Sequence, residues 1–190
     1  MEAVRFMPFT FTIGDPLLFL KKYHKKVEEE DIIVGLMPNN VICLINKQGD
    51  TFATFKIDLK TKVEEFNGHV LDFCIMQYDQ FPAIILLTST GKLIAVNLIN
   101  LETVMIYDSA SLGHSNSGSL CMINSHLFVA IDNVGVFVYN VKDFSEMLGI
   151  ITLNKDHQFS MVANQNGTLV LTQKGREGRC ETAIFKVANI

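Results

Sequence analysis

Four of the chain's five histidines, His24, His69, His114 and His157, stand 45, 45 and 43 residues apart. Two share their preceding residue, in Gly68-His69 and Gly113-His114. A self-similar period of about 40–45 residues marks one supersecondary unit repeated along a chain. Such a unit cannot bury its apolar sides alone, so copies stack and share them. In 190 residues there is room for four copies at most.

The hydrophobic pattern says what the unit is made of. Between Thr51 and Leu59, Phe52, Phe55, Ile57 and Leu59 stand among Thr, Lys and Asp, as in a half-buried strand. Elsewhere the runs are short, β-branched and almost continuous: Ala83 to Leu87, Leu93 to Leu98, Leu127 to Ile131 and Val134 to Val141. Runs of that length between Gly, Asn, Asp and Ser read as buried strands. The best helical candidate, Tyr23 to Asp31, carries its charges in blocks rather than along one face, and reads as a solvated loop or a helical turn.

A second series accompanies the histidines. Gly49, Gly91, Gly135 and Gly167 each follow an apolar strand and a short polar turn, at spacings of 42, 44 and 32. Glycine suits such a hairpin because it accepts positive φ. The histidine-to-glycine intervals are 25, 22, 21 and 10. The middle two agree and the last does not, so His157 reads as an accident. The repeat is firm over residues 63–153, while 28–62 and 154–187 join it by hairpin pattern alone.

These residues resemble a degenerate WD40-type β-propeller repeat, in which a blade opens near Gly-His, turns about twenty residues later through Asp-Gly, and closes a strand with Trp-Asp. Here Gly68-His69 leads to Thr90-Gly91 and Val96-Asn97, and Gly113-His114 leads to Val134-Gly135 and Tyr139-Asn140. The chain has no tryptophan, and asparagine replaces the aspartate. The resemblance implies an all-β, antiparallel, propeller-like domain spanning 1–190. An N-terminal strand and charged loop would occupy 1–27, and about four small blades 28–187. It makes Gly68, His69, Thr88, Gly91, Gly113, His114 and Gly135 structural blade residues, with His69 and Thr88 keeping part of the family's buried hydrogen-bond set.

Three closures fit the length: a compact four-bladed ring with Arg5 to Ile13 closing the last blade, a partial propeller completed by a partner, or two packed sheets with an accidental period. Open edges in so apolar a chain would invite self-association unless covered. Hydrophobic residues make up 48% and charged residues 19%, with a mean hydropathy of +0.26. Either both faces of the sheets are buried or an apolar surface serves a partner.

Composition also bounds the chemistry. The net charge of −4 and only three arginines (Arg5, Arg176 and Arg179) argue against a dedicated nucleic-acid binder. Cys43, Cys74, Cys121 and Cys180 form no C-x-x-C pair, and the first three sit in apolar runs, as reduced, buried thiols do. That fits an intracellular protein, cytoplasmic or nuclear. The apolar N-terminus is broken by Gly14, Asp15 and Pro16, which makes it a poor signal peptide and too short for a membrane span. Asn166-Gly167-Thr168 matches a glycosylation sequon but reads better as a hairpin.

Phosphate-loop, dinucleotide and nucleophile-elbow motifs are absent. His69 with Cys74, and Cys121 with His126, lie five apart, an odd offset that places side chains on opposite faces of a strand and makes no chelate. No catalytic residue, cofactor or metal is expected. Two polar stretches are candidate contacts for a protein partner or RNA. One is Lys21, Lys22, Tyr23, Lys25 and Lys26, beside the acidic block Glu28 to Asp31; the other is Arg176 and Arg179 in a glycine-rich turn. The function expected is a non-enzymatic interaction or scaffold module docking into a larger complex. The alternative is a ribonucleoprotein- or ribosome-associated factor touching RNA through these basic stretches.

Overall fold

The computed structural model describes residues 19–25, 30–37, 41–45, 51–56, 68–78, 81–100, 102–108, 112–163 and 167–187. Every element among them is a strand, and every pairing is antiparallel. The chain divides into two compact units, Met1–Thr61 and Lys62–Ile190.

The first unit holds one four-stranded sheet in sequence order: β1 (Phe19–Lys25), β2 (Glu30–Met37), β3 (Val41–Ile45) and β4 (Thr51–Lys56). The expected charged loop is here corrected. Lys21, Lys22, Tyr23 and Lys25 lie in β1, and the helical candidate Tyr23 to Asp31 is the end of β1 and the start of β2. The order of the residue types explains the difference. A basic block followed by an acidic one folds back so that Lys25 stands opposite Glu30 and His24 opposite Asp31, a register that favours the hairpin. Lys26 and the expected strand Arg5 to Ile13 lie outside the described residues. In the centre of the sheet, Cys43 and Ile45 are buried on one side, and Val34, Leu36 and Ile42 on the other.

The second unit holds three sheets. The second sheet is β5 (Val70–Tyr78), β6 (Phe81–Thr88), β7 (Lys92–Asn97) and β8 (Thr103–Asp108). The third is β9 (Gly118–Ile123), β10 (His126–Ile131), β11 (Gly135–Asn140) and β12 (Asp143–Leu153). The fourth has three strands, β13 (His157–Ala163), β14 (Thr168–Gly175) and β15 (Cys180–Lys186). First strands lie next to first strands, β5 by β9 and β9 by β13.

The sheets stack because their strands are apolar on both sides. In β10, Leu127, Val129 and Ile131 face a core shared with Ile85, Leu87 and Leu93 of the second sheet. The intervening Phe128 and Ala130 face Phe159, Met161, Leu169 and Leu171 of the fourth. Alternation with period two thus points successive side chains into two different interfaces, which is why these strands read as continuous apolar runs.

One closing bond recurs in each of the three sheets of the second unit and gives the phase of the repeat. Leu98 N–H donates to Pro82 O, Val141 N–H to Ser125 O and Val187 N–H to Gly167 O, at 2.9, 2.9 and 2.8 Å. The turn after the second strand is likewise shared: Gly91 N–H bonds Thr88 O, Val134 N–H bonds Ile131 O and Gly178 N–H bonds Gly175 O. Gly178, not Gly167, is therefore the counterpart of Gly91. Gly167 precedes β14, one hairpin too early, and Gly49 lies outside the described residues. His157 stands opposite Gly175, as Val70 stands opposite Thr88, so it opens its sheet one position from the place of His69. It does not hold the place of His69 itself, and His114 is displaced further. Gly118 stands opposite Ile131, so Ser117 holds the place of His69, and His114 lies three residues ahead of it.

Candidate interaction surface

Two buried carboxylates hold the sheets of the second unit together. Asp72 in β5 accepts the backbone N–H of Leu120 in β9 at 2.6 Å and that of Phe73 at 2.8 Å. Asp132, in the turn between β10 and β11, accepts the N–H of Phe159 in β13 at 2.8 Å. Each sheet thus hands an anionic acceptor to the first strand of the next. A charged acceptor on a buried N–H is among the stronger hydrogen bonds a protein makes, which suits it to fixing one strand against another.

The fourth sheet has, among the described residues, no carboxylate that accepts from another sheet. Its inner side, with Phe159, Met161, Leu169 and Leu171, is buried against the third sheet. Its other side presents Val162, Val170 and Ile184 in one row, since Val162 pairs with Val170 and Val170 with Ile184. Val162 is 65% exposed and Ile184 71%. Beside this row Ser160, Thr172 and Thr182 form a second, with the two threonine hydroxyls 3.2 Å apart. Every residue of β15 is exposed. On the neighbouring outer strand β12, Met147, Leu148, Ile150 and Leu153 are exposed as well. Between β12 and β15 runs a groove of about 250 Å³.

The residues expected from sequence lie elsewhere. Arg176 and Arg179 occupy the turn between β14 and β15, where Arg176 pairs with Asp156 at 2.5 Å and Arg179 stands 3.8 Å from Glu177. The five basic-stretch positions belong to the first unit, apart from Lys26, which is not among the described residues. Gly68, His69 and Gly113, His114 precede β5 and β9. The expected pairing of His69 with Thr88 is corrected: the His69 backbone N–H donates to Ser89 Oγ at 3.0 Å, and the Thr88 hydroxyl is engaged by Lys92 N–H at 3.0 Å and stands 3.1 Å from that of Thr90. A turn needs its own backbone satisfied first, and a threonine at its start does that. Gly91 lies in the tight turn, and Gly135 begins β11.

The strand-end positions where the resembled family has Trp-Asp keep one job. Asn97 Oδ1 accepts the N–H of Ile99 at 2.7 Å, and Asn140 Oδ1 that of Lys142 at 3.0 Å, so both asparagines cap the turn into the last strand. Val96 and Tyr139 before them are buried. The closing bond of Val187 puts Phe185-Lys186 at this place in the fourth sheet.

Sequence reading missed Asp72, Asp132 and the exposed row. A lone acid inside Val70-Leu71-Asp72-Phe73 is a signal, because an unpaired buried charge is too costly to keep. The row carries none, since valine and isoleucine look the same whether a neighbour covers them or not. Two pKa shifts among the described residues, of a thiol and of a carboxyl, have structural causes. Burial pushes the Cys43 thiol up against the opposing pull of its bond to Gly35 O, and the Ser145 hydroxyl and N–H hold Asp143 below the usual carboxylate range. Among the described residues no three His, Cys, Asp or Glu gather as a metal site would require.

Neither a family model nor a curated protein sequence matches the chain. In structure it is similar to BBS1N, solved in complex with ARL6DN, at a TM-score of 0.57 and 14% identity, covering 95% of this chain and 55% of that one. It is similar to Saccharomyces cerevisiae Sqt1 at a TM-score of 0.58 and 15% identity, covering 93% of this chain and 48% of that one. The computationally designed Ika4 protein matches at 0.50 and 8% identity over 83% of this chain and 86% of its own. The likeness shows the fold: all-β, antiparallel and propeller-like. The chain spans about half the length of BBS1N and of Sqt1.

Proposed function

We propose that the chain is a non-enzymatic protein-interaction module, a WD40-like propeller subunit that docks into a larger assembly. The observation that carries this reading is the side of the fourth sheet left exposed among the described residues, where Val162 and Ile184 stand in a register row at 65% and 71% exposure. The second and third sheets bury their shared sides completely enough to leave Ile85, Leu87, Val129 and Ile131 with no exposure. Apolar area returned to water costs about 25 cal/mol per Å², so a row of this kind is a standing gain for any molecule that covers it. Support comes also from propeller structures about twice this length, one of them solved with a protein bound.

The test is purification of the full chain from its own cells under native conditions, followed by size-exclusion and mass spectrometry. A stoichiometric protein companion is expected, lost on Val162→Ser with Ile184→Ser while the melting curve of the isolated chain stays in place. A well-behaved free monomer of 21.3 kDa with no companion overturns the reading.

A further inference from the structure

We draw no further inference here: the strongest candidate, the polar cleft between the β6–β7 turn and the connection into β9, lined by His69, Ser89, His114 and Asn116, carries nothing, because its one buried side chain, Ser89, is spent on the His69 N–H at 3.0 Å and nothing in the structure shows what covers it.

Discussion

The carboxylate of Asp72 spans 48 residues of sequence to take the N–H of Leu120 with one oxygen, while its other oxygen takes the N–H of Phe73. Both donors belong to buried strands, and both bonds need an acceptor. Asn can satisfy only one of them, because its NH₂ would face the other N–H. Asp72→Asn is expected to destabilise the chain by about 1–3 kcal/mol, the cost of a buried donor left unpaired. Urea unfolding of the two proteins measures it. An unchanged midpoint would mean that the inter-sheet bond contributes nothing.

Tyr107 on β8 and Tyr139 on β11 meet edge to face, with ring centres 5.8 Å apart and planes at 63°. They belong to different sheets, so the contact couples the outer part of the second sheet to the third. A double-mutant cycle of Tyr107→Leu and Tyr139→Leu should give a coupling of about 0.5–1.5 kcal/mol. Additive losses would show that each ring is held by its own sheet alone.

Gly91 and Gly178 do the same job in two sheets and differ in surroundings. Both are left-handed, at φ +77° and +76°. A Cβ on Gly91 would lie 2.4 Å from Gly113 O, while one on Gly178 meets nothing within 4 Å. Gly178→Ala should cost only the left-handed penalty of about 1–2 kcal/mol. Gly91→Ala should cost clearly more, since a backbone atom must move. Thermal unfolding of the pair compares them directly, and equal losses would show that the connection through Gly113 yields freely.

The strands were legible in the sequence because their apolar runs end at turn residues: Ala83 to Leu87 lies within β6 and Leu127 to Ile131 within β10, while Leu93 to Leu98 passes the end of β7 by one residue. Their phase was harder to read. Histidine spacing is a proxy for a backbone repeat, and His114 stands three residues before the place of His69 while the repeat itself stays in register. The glycines misled for a related reason, since every hairpin in such a sheet can use glycine and sequence alone does not say which hairpin is being counted. Lysines read as solvated, so the basic stretch reads as a loop, yet a strand needs only a partner in register, and β2 supplies it. The uncovered row Val162, Val170 and Ile184 could not be told from a covered one, because covering is a property of what lies outside the strand.

The cysteines offer a chemical readout of burial. Cys43 has no exposure and its thiol, bonded to Gly35 O at 3.6 Å, is pushed above its ordinary value of 9.0 by burial. Cys180 at the start of β15 is exposed. A thiolate-specific reagent at pH 8 should therefore modify Cys180 within minutes and leave Cys43 untouched until the chain unfolds. The sign of the pH effect follows from the direction of the shift. Below the ordinary thiol value both folded and unfolded forms keep the proton and nothing is lost. As pH rises above 9.0 the unfolded thiol ionises first, binds fewer protons than the folded one, and stability falls. Cys43→Ala should flatten that alkaline decline while leaving the Cys180 rate unchanged. Labelling of Cys43 at the rate of Cys180 in the folded chain would show that the centre of the first sheet is open to water.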